Sequence, residues 1–208
     1  HFNTAVEKIV IEHQLATGIR VNGTTHKANV VVSNMDVVPT YRHLMPTQKA
    51  PEKSLQQERS SSAVIFYWGI DRSFPDLDLH NIFFSDNYQA EFDAIFRDKT
   101  LFDDPTVYVN ITAKDVHGDA PAGKENWFVM VNAPHDTGQD WDTLSKTLKK
   151  QVLDKLNRNL SVDLANHIEE EWVLTPPLIA DKTASFTGAL YGAASNNRMA
   201  AFLRHPNF

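Results

Sequence analysis

Ser62-Ala63-Val64-Ile65-Phe66-Tyr67-Trp68-Gly69-Ile70 decides how this chain is read. Its aromatic and β-branched content is that of a buried strand. Working outward, residues 71–79 form a turn-rich connection around Pro75, and residues 80–84 read as a second strand. Residues 86–96 place Tyr88, Phe92, Ile95 and Phe96 at helical spacing, with Ser85 or Asp86 as the cap. Residues 106–111 and 127–131 read as further strands. The clearest helix covers residues 144–160, where Leu144, Leu148, Val152, Leu156 and Leu160 recur every four positions. Residues 168–174 suit a strand or a short helix, ended by Pro176-Pro177. Residues 188–196 are rich in small side chains and resist assignment.

Upstream, residues 5–33 read as three short strands. Residues 5–11 carry Val6, Ile9 and Ile11, and residues 18–21 form a second extended piece. Asn22-Gly23 signals a hairpin, because both residues tolerate positive φ. The third strand spans residues 27–33, and its run Val30-Val31-Val32 predicts burial on both faces, as inside a sheet. Pro39, Pro46 and the polar residues 48–59 mark a boundary near residue 38. Strands and helices mixed without strict βαβ alternation give an α/β fold of the mixed, α+β kind.

Composition bounds the function. The 208 residues carry 20 basic and 26 acidic side chains, a net charge of −6, with 42% hydrophobic residues. These are ordinary values for a globular protein and leave nucleic acid out as the main partner. Cysteine is absent, so there is no disulfide, thiolate metal site or cysteine nucleophile. No apolar run approaches the roughly 20 residues that span a bilayer.

Motifs with chemistry of their own are sparse. Asp76, Asp78 and His80 alternate as metal ligands on one strand face would, but a solvated acidic turn explains them more simply. His167 with Glu169, Glu170 and Glu171 lacks the zinc-protease spacing. There is neither a Gly-x-Ser-x-Gly elbow nor a Gly-rich phosphate loop. Three Asn-x-Thr/Ser triplets, at Asn22, Asn110 and Asn159, are of the kind that occurs by chance. The aromatic residues from Phe66 to Phe96 are either core or the lining of a channel for a long apolar ligand.

Several stretches together resemble the bacterial-type phytoene desaturases, the flavin-dependent carotenoid desaturase family. They are Ala28-Asn29-Val30-Val31-Val32-Ser33-Asn34-Met35-Asp36 with Thr40-Tyr41-Arg42, and Phe66-Tyr67-Trp68-Gly69-Ile70-Asp71-Arg72 with His80-Asn81-Ile82-Phe83-Phe84-Ser85. Asp104-Pro105-Thr106-Val107-Tyr108-Val109, Asn132-Ala133-Pro134-His135, Gly188-Ala189-Leu190-Tyr191-Gly192 and Phe202-Leu203-Arg204-His205-Pro206-Asn207 follow in the family's order. The likeness runs along essentially the whole chain. It resembles the middle and late part of such an enzyme, without the two Gly-rich flavin motifs, and implies a segment that is inactive alone.

The resemblance implies a remnant of a Rossmann-like FAD domain at residues 1–37. A substrate domain follows at residues 38–190, with a mixed, largely antiparallel sheet backed by helices, and residues 191–208 return toward the flavin. FAD is the implied cofactor, contacted by Val6, Ser33, Asn34 and Gly192, and no metal is expected. The implied reaction removes two hydrogens across a carbon–carbon single bond of a polyene hydrocarbon. Phe66, Trp68, Phe83 and Tyr191 would line the substrate channel. Asp71, Arg72 and His80 are read as turn residues in preference to proton acceptors, so no catalytic residue is assigned. A cytoplasmic protein, peripheral at the membrane surface and capable of homo-oligomerisation, is expected. The alternatives are a flavin-dependent saturase of retinoid-like polyenes and a non-catalytic module that binds an apolar ligand or a protein.

Overall fold

The computed structural model describes residues 1–195. Asn196 and the stretch Phe202 to Asn207 quoted above lie outside the described residues. Two sheets share no strand. The first joins β1 (Lys8–Glu12), β2 (Leu15–Val21) and β3 (Thr24–Lys27) as an antiparallel meander. Its β2–β3 turn is the expected one: Val21 faces Thr24, and Asn22 and Gly23 take φ of 48° and 73°. The expected third strand is corrected. Strand β3 ends at Lys27, and Val30 and Val32 are 75% and 87% exposed. A β-branched run becomes an interior strand only when neighbours offer main-chain partners on both sides, and no described segment does so here.

The second sheet contains β4 (Ser62–Ile70), β5 (His80–Phe83), β6 (Val107–Asn110), β7 (Glu125–Ala133) and β8 (Ile168–Leu174), in the order β5-β6-β7-β4-β8. Every ladder among these strands is antiparallel, so the part expected to be mixed is antiparallel throughout. The nine residues that opened the reading form its central scaffold. β4 pairs with β7 along its whole length and with β8 over Ile65 to Ile70. Residues 168–174 are thereby settled as a strand, which leaves Glu169 to Glu171 exposed on an edge.

The described residues also form five α-helices, besides short π- and 3-10 turns: α1 (Val37–Pro39), α2 (Glu52–Leu55), α3 (Tyr88–Asp93), α4 (Trp141–Leu160) and α5 (Pro176–Thr183). The cap of α3 is Asn87, one residue after the expected pair, and its side chain accepts from the Ala90 N–H at 3.1 Å. Helix α4 starts three residues earlier than its leucine repeat suggests, because Asp140 caps it by accepting from the Thr143 N–H and hydroxyl. Ser161 closes it in the left-handed conformation at φ 52°. Each four-residue step overshoots a turn by about 40°, so the leucine row winds around the helix. Its middle members Leu148, Val152 and Leu156 are fully buried, and its ends Leu144 and Leu160 are only partly so. Pro176-Pro177 both ends β8 and opens α5, where a missing N–H costs nothing.

Helix α4 covers one face of the sheet. Leu148, Val152 and Leu156 meet Val64, Phe66, Trp68 and Ile70 of β4 and Trp127, Val129 and Val131 of β7 in one core. At its polar end Glu125 is enclosed by the Lys114 Nζ at 2.7 Å, the Trp127 indole N–H at 2.8 Å, the Ser73 hydroxyl and the Phe74 N–H. Burial pushes this carboxyl toward its neutral form, but Lys114 and these donors outweigh burial and hold it below the ordinary carboxylate range.

Candidate functional site

The other face of the sheet is open over much of its area. Antiparallel register lines its side chains up in rows that cross the strands. One row runs Ile82, Tyr108, Met130, Ile65, Leu174, and the next runs His80, Asn110, Phe128, Tyr67, Trp172. The second row is a continuous aromatic strip at its β8 end. Tyr67 packs against Phe128 and Trp172 with ring centroids 5.4 and 5.2 Å apart. Tyr67 and Trp172 nevertheless remain 38% and 46% exposed. A third row places Asn126 and Glu170 on either side of Gly69. Tyr67, Phe128, Trp172, Asn110, Asn126 and Glu170 line a groove of about 550 Å³.

At the β5 end of the aromatic row the chemistry turns polar. The His80 Nδ1 lies 2.7 Å from the Tyr108 hydroxyl and 3.2 Å from the Asn110 Nδ2.

A second cavity, of about 370 Å³, lies where the tail meets the first turn of α1. Asn34, Met35, Asp36, Ala189, Leu190 and Gly192 are among the residues that line it. The tail reaches it because Gly188 sits at φ 72°, with its α-carbon so close to Pro176 that a side chain would meet the carbonyl oxygen at 2.3 Å. Main-chain bonds from Leu190 N–H to Ser61 O and from Ser60 N–H to Gly192 O then tie the tail to the start of β4. Beside the cavity, the Arg59 guanidinium pairs with Asp36, and both side chains are almost completely buried. Arg59 lies over the Phe186 ring, 5.5 Å from its centroid, and its Nε and Nη1 have no hydrogen-bond partner among the described residues. Nearby His135 is held below the usual imidazole range, first by burial and then by the cations Lys99 and Arg59.

No family model matches the chain. Over 207 residues it is 58% identical to the 1-hydroxycarotenoid 3,4-desaturase of Flavobacterium sp. (strain P99-3), an alignment covering 100% of this chain and 42% of that protein. The chain belongs to the carotenoid desaturase family, as a segment of it. It is also 35% identical over 202 residues to the 4,4'-diaponeurosporene oxygenase of Staphylococcus aureus (strain bovine RF122 / ET3-1), covering 95% of this chain and 41% of that one. The chain thus spans about four-tenths of the length of the curated relatives it matches. A solved oxidoreductase from Methanosarcina mazei superposes with a TM-score of 0.49 at 16% identity, over 83% of this chain and 36% of that one.

In this carotenoid desaturase segment the residues singled out from sequence fall in different places. Asn34 and Gly192, 158 positions apart in sequence, line one cavity. Ser33 adjoins it and lies 3.1 Å from the Thr40 hydroxyl. Val6 precedes β1, which begins at Lys8, and is not among the cavity's lining residues.

Two of the expected channel residues need correction: Phe66, 2% exposed, belongs to the core under α4, and Phe83 packs against the same core. Trp68, also 2% exposed and part of that core, is among the residues that line the groove. They share a face because strand side chains alternate, and the helix occupies that face. Tyr67, between them, faces the open side. Tyr191 is exposed and lines a separate cavity with Ser60, Ser61 and Phe96.

The channel residues implied by the resemblance left out Tyr67, Tyr108, Phe128 and Trp172. The signal that finds them is cross-strand register. Asp78 and Asn81 satisfy each other's turn, with the Asp78 N–H donating to Asn81 Oδ1 at 3.0 Å, and His80 turns to Tyr108. His167 pairs with Asp71 at 2.8 Å, Glu169 with Lys124 and Glu171 with Lys149. Among the described residues no three His, Asp or Glu side chains gather as a metal site. No described helix is long and apolar enough to cross a membrane.

Proposed function

We propose that this chain is the substrate-holding part of an FAD-dependent desaturase that dehydrogenates a long polyene of the hydroxycarotenoid class. The observation that carries the reading is the aromatic strip Phe128–Tyr67–Trp172, left uncovered on a sheet whose opposite face is sealed by α4. Flat apolar rings with few hydrogen-bonding groups suit a conjugated hydrocarbon. The 58% identity to a 1-hydroxycarotenoid desaturase, against 35% to an oxygenase, favours dehydrogenation over oxygen insertion.

For the cofactor, the cavity at Asn34, Met35 and Gly192 suits the edge of a flat ring. Ser185, Ala189 and Gly192 are small residues in its lining, and the buried Arg59 beside it has two nitrogens without a partner among the described residues. Nothing in the chain suits a pyrophosphate, since no Gly-rich loop is present. A flavin bound there would supply the two-electron acceptor: of the two hydrogens removed, one would leave as a hydride and the other as a proton to water. The protein's part is to hold the polyene straight and dry beside it.

The division at residues 1–37, 38–190 and 191–208 belongs to this proposal. So do contact with a membrane surface, from which an apolar substrate would be drawn, a cytoplasmic location and self-association.

Two measurements test the reading. The purified chain mixed with a 1-hydroxycarotenoid should show quenching of its tryptophan emission without added flavin; no quenching sinks the proposal. A desaturase carrying this segment, supplied with FAD, should shift the polyene's absorption to the red. A shift to the blue would instead reveal a saturase.

A further inference from the structure

The cavity where the tail meets α1 has a wall whose hydrogen bonding is incomplete. Among the described residues that line it, Asp36 alone is charged, and its carboxylate is engaged at both oxygens. One accepts from the Val38 N–H at 3.0 Å, capping α1, and the other takes both Arg59 Nη2 and the Phe186 N–H. Arg59 is only partly engaged. Its Nε and Nη1 are sealed from solvent and meet no acceptor among the described residues. A buried donor without an acceptor keeps its full desolvation penalty, which is larger on a charged group, so each such atom asks for a role.

The guanidinium is held in place. Arg59 bridges to Ala193, and the Ser60 and Ala194 N–H groups donate to the Gly192 and Glu58 carbonyls on either side of it. The Phe186 ring lies against it. Its head stands between Asp36 and Gly192, both of which line the cavity, and a Cβ on Gly192 would come 3.9 Å from Nη2. Gly192 thus sets main chain alone beside the cation. A fixed cation with spare donors recognises an acceptor, and best one that gains negative charge. The pyrimidine half of a flavin ring presents carbonyl oxygens and ring nitrogen, and carries negative charge once reduced.

We propose that Arg59 receives the pyrimidine edge of the flavin and, by favouring its reduced form, raises the potential at which the polyene is oxidised; this rests on the cavity being the flavin site. Asp36 is the counter-charge that limits the effect and fixes the guanidinium against the first turn of α1.

Two opposite charges in contact make opposite predictions. The measurement is the two-electron midpoint potential of FAD bound to a desaturase carrying this segment, read by dye equilibration in the absence of substrate. Arg59→Gln should lower it by about 30 mV, the equivalent of a tenfold weaker hold on the reduced ring relative to the oxidised one. Asp36→Asn, which still caps α1, should raise it, because the cation loses its partner. A pair that only braces the tail against α1 would shift both variants the same way or neither, and that result overturns the assignment while the flavin reading stands. Thermal melting identifies a single variant that unfolds because it strands a buried charge. In that event the double variant Asp36→Asn with Arg59→Gln, which replaces the pair by two amides, decides. A potential lowered by about 15 mV, roughly a threefold ratio, upholds Arg59, and an unchanged one overturns it. A native desaturase that shows no bound flavin band removes the cofactor reading itself, and the assignment with it.

Discussion

Along β4 the two faces of one strand have different fates. Val64, Phe66, Trp68 and Ile70 lie under α4 and are buried, whereas Tyr67 and Gly69 face the groove. Neighbouring residues of nearly identical chemistry, Phe66, Tyr67 and Trp68, are thus divided between the packed core and the open face. The comparison teaches that composition identifies a β-strand but not which of its sides is free. That is decided by where the next layer packs.

The sharpest way to break this contrast is to truncate both faces. Trp68→Ala, on the covered face, should cost about 3–5 kcal/mol in urea unfolding through lost burial and the cavity left behind. If it costs less than Trp172→Ala, the assignment of core and groove is reversed.

Next in size is Glu125→Gln, at the polar end of the covered face, where the neutral amide leaves the Lys114 ammonium without its partner. A loss of about 1.5–3 kcal/mol at neutral pH is expected. Because the folded carboxyl titrates below its ordinary range, its contribution is complete above the unfolded value and disappears as pH falls through the folded one. Melting temperature measured against pH should therefore drop on the acid side in the native chain and less steeply in the variant.

Asp140→Ala removes the cap of the covering helix. It should destabilise by about 1 kcal/mol, with groove binding unchanged in the quenching assay.

The smallest stability effect is expected on the open face. Trp172→Ala should cost no more than about 1.5 kcal/mol, the scale of an aromatic pair, yet abolish most polyene-dependent quenching. Retained quenching would move the ligand to another tryptophan.

Much of the fold was legible. The β4 run, the Asn22-Gly23 hairpin and the α4 leucine row each carry a local signal strong enough to specify its element. Of the residues chosen by resemblance, Asn34 and Gly192 line one cavity. The groove was less legible: Phe66 lies wholly in the core, and Trp68 joins Tyr67, Phe128 and Trp172, from three different strands, in the lining. The run Val30-Val31-Val32 misled for a related reason. Its pattern reports what the segment suits, and burial needs neighbours that the described chain does not place there.

The sequence by itself determined most of the elements, the family and the absence of cysteine and phosphate-loop chemistry, because these depend on local dihedral preference, periodicity and composition. Only the tertiary structure decided that residues 168–174 form an edge strand, which sheet face α4 covers, and that tail and first turn meet at Asp36 and Gly192. Those outcomes depend on register and packing between segments far apart in the chain, where a one-residue shift exchanges the two faces of a strand.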